Sequence, residues 1–289
     1  MPEGAEVSHS RDQLRRLLLN KQIVNAFSSE TGRYARNNPT GFDEFIKSLG
    51  TLGAYIIQSI DVKGKFMWWT LKRTHDEDVW YVWITYGMSG QFSRDKTQHT
   101  AFGFYCNDSG LGVDQFDTVY FNDPRRFGTI KFVHSAAAHA KKLASLGPDM
   151  LNDPPDAKTF RQALLRKHSW TLAATLMNQS VVSGVGNYVK AEALYAARLS
   201  PHDVVHDLSS TEIECLRCAI IDVLQRSYEL HGASMLTYRE VGGQKGEASS
   251  RFAVYGKPVD PLGNPVVREL TADNRTTHWV PNVQNRRTQ

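Results

Sequence analysis

Cysteine is scarce in this chain. Cys106, Cys215 and Cys218 form an odd set of three, which argues against a disulfide framework and for a reducing compartment. No stretch reaches the roughly 18 consecutive apolar residues that a membrane helix needs. The first residues, Met1-Pro2-Glu3-Gly4-Ala5-Glu6, are acidic, where a secretory signal is basic and then apolar, so an intracellular protein is expected. The ten histidines form no ligand cluster, and no internal repeat is found. With 41% apolar and 22% charged residues, the composition excludes disordered, collagen-like and coiled-coil chains. At roughly 100–200 residues per domain, 289 residues suffice for about two domains. A net charge of +4 is compatible with a polyanionic partner, and with many enzymes of small molecules.

The texture changes near Ser135. The first part reads as one opening helix, with Val7, Leu14, Leu17 and Leu18 on one face, followed by short aromatic and β-branched runs. These are Ala54–Ile60, Phe66–Leu71, Val79–Thr85, Thr100–Cys106, Thr118–Phe121 and Gly128–Val133; several such strands suggest a sandwich or barrel. Trp68, Trp69, Trp80 and Trp83 are read as strand core. Beyond Ser135, helical periodicity covers Ser135–Leu146, Thr159–Met177, Asn187–Arg198 and Thr211–Leu230, the last with a capping box from Thr211 to Glu214. Cys215-x-x-Cys218 lies within that helix without a second pair and is assigned to helix packing. The Gly- and Ser-rich stretch 239–251 reads as a mobile loop, and Arg251–Gln289 as a short strand-and-turn module.

Three places carry chemistry. Removal of Met1 exposes the secondary amine of Pro2 beside the Glu3 carboxylate. An α-amino group titrates near pH ~8, so part of it is neutral and nucleophilic at physiological pH. Attack on an aldehyde carbon gives an iminium, a strong electron sink. The same dipeptide also suits the first turn of a helix. Second, Asn178-Gln179-Ser180-Val181-Val182-Ser183-Gly184-Val185-Gly186-Asn187-Tyr188 places two glycines and an Asn at a helix start; this fits a nucleic-acid phosphate, and fits an inter-helix turn with an Asn cap as well. Third, Val259-x-x-Leu262 and Val280-x-x-Val283 have the spacing of a four-cysteine zinc ribbon with aliphatic side chains at every ligand position. A zinc site is thereby excluded, and the four side chains are expected to fill the hollow by packing. Arg275 precedes the second pair and can reach a phosphate.

In this order, these places resemble the formamidopyrimidine-DNA glycosylase and endonuclease VIII family, most closely its zincless endonuclease VIII-like members of eukaryotes and giant viruses. The opening Met1-Pro2-Glu3-Gly4-Ala5-Glu6-Val7 departs from the family only at Ala5. Lys63-Gly64-Lys65-Phe66 resembles its lysine hairpin, and Gly87-Met88-Ser89-Gly90 and Asn122-Asp123-Pro124-Arg125-Arg126-Phe127-Gly128 its two void-filling loops. Leu146-Gly147-Pro148-Asp149 resembles its domain junction, and Asn178–Asn187 with Glu192-Ala193-Leu194-Tyr195 its helix–two-turn–helix.

The resemblance implies an α+β protein. Residues 1–134 would form an N-terminal catalytic β-sandwich domain with an N-terminal helix. Residues 135–241 would form a helical domain with the helix–two-turn–helix, and 242–289 a lesion loop and a zincless β-hairpin finger. It implies a bifunctional DNA glycosylase and abasic-site lyase of base excision repair, without cofactor or metal. Pro2, Glu3, Lys65 and Arg275 would be catalytic: Pro2 attacks C1′, Glu3 serves the ring oxygen, and the iminium drives β- and then δ-elimination. Met88, Arg125 and Phe127 would fill the space left by the rotated nucleotide. Lys65, Arg126, Asn187 and Arg275 would grip phosphates; Gln179 is a phosphate or packing candidate, and Glu6 holds the active-site helix or the flipped nucleotide. The Gly4 opening and the zincless ribbon resemble the endonuclease VIII branch, which favours oxidised pyrimidines and hydantoins. The implied partner is damaged DNA, double- or single-stranded, bound by a monomer with no membrane, in the nucleus of a eukaryote or otherwise in the cytoplasm. Two other classes compete: a catalytically silent damaged-DNA-binding protein on the same fold, and an RNA-holding module built on a helix–two-turn–helix.

Overall fold

Residues 67–72 and 79–85 alternate buried and half-buried side chains, the period of a strand with one face against a core. The computed structural model describes residues 2–30, 32–73, 77–107, 117–232 and 248–284. Its elements begin with α1 (Gly4–Leu18), β1 (Gln22–Ser28), α2 (Phe42–Leu52), β2 (Tyr55–Lys63), β3 (Phe66–Lys72) and β4 (Val79–Thr85). They continue with β5 (Gln91–Ser93), β6 (Thr100–Asn107), β7 (Asp117–Asn122), β8 (Thr129–Val133) and α3 (Ala136–Ala144). The described residues group into two compact units: Pro2 with Val7–Leu143, and Glu3–Glu6 with those of 144–284.

In the first unit, eight strands form one antiparallel sheet in the order β5-β7-β6-β1-β2-β3-β4-β8. It folds over so that distant strands meet face to face. The Trp69 ring on β3 lies 4.6 Å from Phe104 on β6 and 5.5 Å from Phe92 on β5, and Phe132 on β8 lies 5.7 Å from Phe102 on β6. This is the sandwich that the strand runs suggest. Trp69 and Trp80 are buried in it, whereas Trp68 and Trp83 are half-buried, near His139 of α3. Three elements were not anticipated: β1, α2 and the short β5. Helix α2 sets Phe42, Phe45 and Leu49 into the sandwich core, with Phe45 stacked on Phe132 at 4.7 Å.

The second unit contains α4 (Ala157–Leu165), α5 (Leu172–Met177), α6 (Asn187–Ala196), α7 (Ser210–Glu229), β9 (Val267–Leu270) and β10 (Thr276–Trp279). The single helix expected over 159–177 is two. Thr171 caps α5 by accepting the Ala174 N–H, and its backbone bridges to Val204; a capping side chain offers the chain an exit from the helix there. The capping box of α7 is Ser209 with Glu212 rather than Thr211 with Glu214, because the helix begins at Ser210 and Thr211 already lies inside its first turn. Cys215 and Cys218 lie on α7 but are exposed, so they do not pack in its core-facing stripe of Ile213, Leu216, Ile220 and Leu224. Of the stretch read as a mobile loop, 239–247 lie outside the described residues, and Ala248–Arg251 form one turn of 3-10 helix.

Candidate functional site

The first N–H groups of a helix lack partners within it and carry the positive end of its dipole. At the start of α6 that place is taken by Glu3. Its Oε1 accepts the Tyr188 N–H at 3.0 Å and its Oε2 the Val189 N–H at 3.2 Å. The N–H groups in which the glycines suggested a phosphate site are thus taken by a side chain of the protein. Gly186 makes room for it, since a Cβ there would lie 2.2 Å from the Glu3 carboxyl carbon. Gly4 donates its N–H to the Gly184 carbonyl at 2.9 Å. Glu6, one turn on, accepts the Glu3 N–H at 2.7 Å and the Tyr188 phenol at 3.1 and 3.3 Å. Both carboxylates are only 1% exposed, and Pro2 is buried. Burial, with the Glu6 and Glu3 charges, pushes the Tyr188 phenol well above its ordinary pKa, so it stays a donor.

Gln179 spends its side chain inside the turn before α6. Its Nε2 donates to the Met177 and Val185 carbonyls at 3.2 and 2.9 Å, and its Oε1 accepts the Gly184 N–H at 3.1 Å. Asn187 donates from Nδ2 to the Thr276 carbonyl at 2.9 Å. Arg275 is exposed in the turn between β9 and β10. That turn is fixed from below by the wholly buried Lys190 of α6, whose Nζ meets Asp273 Oδ2 at 2.5 Å. Burial lowers the Lys190 pKa, and Asp273 opposes the shift. Glu192, also on α6, accepts the N–H groups of Ala253, Val254 and Tyr255 at 2.7–2.9 Å.

In the first unit, Asp123 organises the two loops that carry Met88, Arg125, Arg126 and Phe127. Its carboxylate takes the Ser89 hydroxyl at 2.5 Å and the Gly128 N–H at 2.6 Å, and Ser89 in turn accepts the Arg125 N–H at 3.0 Å. Gly87 has φ +58, and a Cβ there would strike the Phe127 carbonyl carbon at 2.5 Å, so only glycine lets the loops meet. The result is a fixed platform on which Phe127 is 54% exposed, with the Arg125 guanidinium 5.4 Å from its ring centre. Met88 is half-buried. Lys65 is half-buried in the turn between β2 and β3, whose register closes at Lys63 and Phe66.

The zinc-ribbon positions do not pack as a set. Val280 is buried with Val254 and Ala191, and Val283 packs beside them, but Val259 and Leu262 are 48% and 76% exposed. A buried carboxylate shapes the first knuckle instead. Asp260 accepts the N–H groups of Leu262 and Asn264 at 2.9 and 2.7 Å, the Asn264 amide at 3.0 Å and the Tyr195 phenol at 3.1 Å. Gln284 shapes the second, accepting the Val280 N–H at 2.7 Å and donating to the Leu199 carbonyl at 2.9 Å. The melting temperature is therefore expected to be indifferent to metal chelators. Asp260→Ala, by contrast, should speed amide exchange in 260–266 by about tenfold, read by mass spectrometry.

The pattern reading missed Tyr188, Lys190, Asp273, Asp123, Asp260 and Gln284 as organisers. Only Asp260 carried a local signal, as Asp-Pro-Leu-Gly-Asn is a turn composition; each of the others has at least one partner remote in sequence.

Residues 1–130 match the formamidopyrimidine-DNA glycosylase N-terminal domain, 146–239 its H2TH domain and 245–285 its C-terminal domain. A formamidopyrimidine-DNA glycosylase of Thermus thermophilus is 32% identical over 290 residues, 98% of each chain. One of Enterococcus faecalis is 29% identical, over 98% of this chain and 97% of its own. The crystal structure of the MutM (Fpg) protein from Thermus thermophilus superposes with a TM-score of 0.80 at 29% identity, covering 99% of this chain and all of that one. A Lactococcus lactis Fpg variant in complex with Fapy-dG-containing DNA superposes at 0.82 with 24% identity, with the same coverage.

Proposed function

The chain belongs to the formamidopyrimidine-DNA glycosylase family and is a DNA glycosylase of base excision repair with abasic-site lyase activity; we propose that it excises oxidised pyrimidines and hydantoins through a covalent iminium on Pro2. The observation that carries this reading is the seating of the Glu3 carboxylate on two helix N–H groups, one residue after the candidate nucleophile. The Pro2 nitrogen attacks C1′ of the extruded nucleotide while Glu3 serves the ring oxygen. The C1′–O4′ bond opens, the base leaves with its bonding electron pair and a proton, and nitrogen and C1′ are left as an iminium. Loss of a C2′ proton then expels the 3′ phosphate, and a second elimination expels the 5′ phosphate.

Rotating a nucleotide out of the duplex costs a few kcal/mol and leaves a gap. Met88 and Phe127 stack into it and the Arg125 guanidinium hydrogen-bonds the widowed base; a loop already held by Asp123 gives up little entropy in doing so. Lys65, Arg126, Asn187 and Arg275 bind the flanking phosphates. Glu6 holds the Glu3 main chain.

Borohydride trapping tests the reading. With a duplex holding thymine glycol or an abasic site, wild type is expected to give a covalent adduct that maps to Pro2. Pro2→Gly should give none with thymine glycol, and Glu3→Gln should trap the abasic duplex while leaving thymine glycol intact. If a protein shown to lack Met1 traps neither substrate, the chain is a silent binder of damaged DNA.

A further inference from the structure

Tyr188 has no part in the mechanism above, yet it touches both carboxylates. It is the second residue of α6 and wholly buried. Its backbone N–H donates to Glu3 Oε1 at 3.0 Å, and its phenol donates to Glu6 at 3.1 and 3.3 Å. Glu6 in turn accepts the Glu3 N–H at 2.7 Å. These bonds close a ring through two acids and one tyrosine. The phenol cannot wander. Phe252 stacks on it at 5.0 Å with 23° between planes, Tyr255 meets its edge at 6.3 Å, and the Ser227 hydroxyl hydrogen-bonds its oxygen.

We propose that Tyr188 is a positioning residue for base excision, fixing Glu6 against the Glu3 main chain and so the Glu3 carboxylate against the sugar ring oxygen. The inference rests on the role given to Glu3 above. A carboxylate as buried as Glu6 requires hydrogen-bond donors. Without the phenol it loses a donor that fixes its orientation, and a turn of the carboxylate releases the Glu3 N–H that it holds. Excision needs Glu3 to open the ring. An abasic sugar is already in equilibrium with its open aldehyde, so the Pro2 amine reaches it without that help. The two activities should therefore part company in a Tyr188 variant.

The test compares single-turnover release of thymine glycol with strand cleavage at a preformed abasic site. Tyr188→Phe is expected to lower release by about tenfold or more while cleavage stays within about twofold of wild type. Glu6→Gln should show the same split, and the double variant should be no slower than the slower single, as groups sharing one bond require. Equal losses in both activities would mean a general structural role, and independent losses in the double variant would mean that Tyr188 does not act through Glu6. Either result overturns the inference, as does wild-type release by Tyr188→Phe. If that variant does not fold, Ser227→Ala keeps the ring but frees its oxygen. It should slow release about threefold without slowing cleavage, and unchanged release overturns the proposal. A wild type that releases no oxidised base overturns the reading of the site, and this inference with it.

Discussion

Gly186→Ala should abolish most base excision and keep the fold. The backbone at this position is extended, with φ −128 and ψ −159, which alanine adopts without strain. The three atoms nearest an added Cβ all belong to the end of one side chain, the Glu3 carboxyl carbon at 2.2 Å and its oxygens at 2.4 and 2.5 Å. The carboxylate can swing aside, so the main chain need not move. In doing so it leaves the N–H groups of Tyr188 and Val189 and is displaced by an ångström or more. A misplacement of that size in a group that must meet one atom of the substrate costs about 100-fold in rate. Release of thymine glycol in single turnover is thus expected to fall by about two orders of magnitude. Borohydride trapping on a preformed abasic site should stay within about threefold, because that step does not call on Glu3. Wild-type release would show that the observed seat of Glu3 is not its working position.

Pro2-Glu3 and the turn at 178–188 were each legible in the sequence, while the bond between them was not. The glycines and the helix start announce N–H groups waiting for an anion, but local pattern cannot say that the anion stands 185 positions away. Distance along the chain hides Tyr188 and Lys190 in the same way. Most strands were legible because their apolar residues alternate; β1 was not, since a register shift between Ile23 and Asn25 breaks its period. Helix α2 was overlooked although Phe42, Phe45, Ile46 and Leu49 have helical spacing, because Gly41, Gly50 and Gly53 suggest a loop. At the finger, the four positions that would carry zinc ligands are aliphatic. The expectation that they fill the metal's place failed for Val259 and Leu262. A hydrophobic pattern counts apolar side chains, and the group that shapes this knuckle is a carboxylate bonded to backbone.

Lys190→Met should loosen the turn that presents Arg275. The Lys190 ammonium is wholly buried and Asp273 nearly so; the other Asp273 oxygen takes the Thr271 hydroxyl at 2.5 Å, and Thr271 also bonds the Arg275 carbonyl and Thr277 at 3.1 and 2.6 Å. Methionine fills the volume of the lysine stem but leaves Asp273 as a buried charge without its counter-ion, which typically costs about 3–5 kcal/mol. Asp273 is then drawn toward solvent, and the bonds through Thr271 are strained or lost. Amides of Thr271–Trp279 are therefore expected to exchange about two to four orders of magnitude faster, with the sandwich unaffected. The double variant Lys190→Met/Asp273→Asn should recover much of that protection, because a neutral amide needs no counter-ion and can still meet the Thr271 hydroxyl. Affinity for an abasic duplex should fall by about tenfold in the single variant, as an Arg–phosphate contact is released, and should return in the double variant. If exchange is unchanged in Lys190→Met, the ion pair does not hold the turn. If the turn loosens while affinity stays at the wild-type level, Arg275 does not rely on that turn to reach DNA.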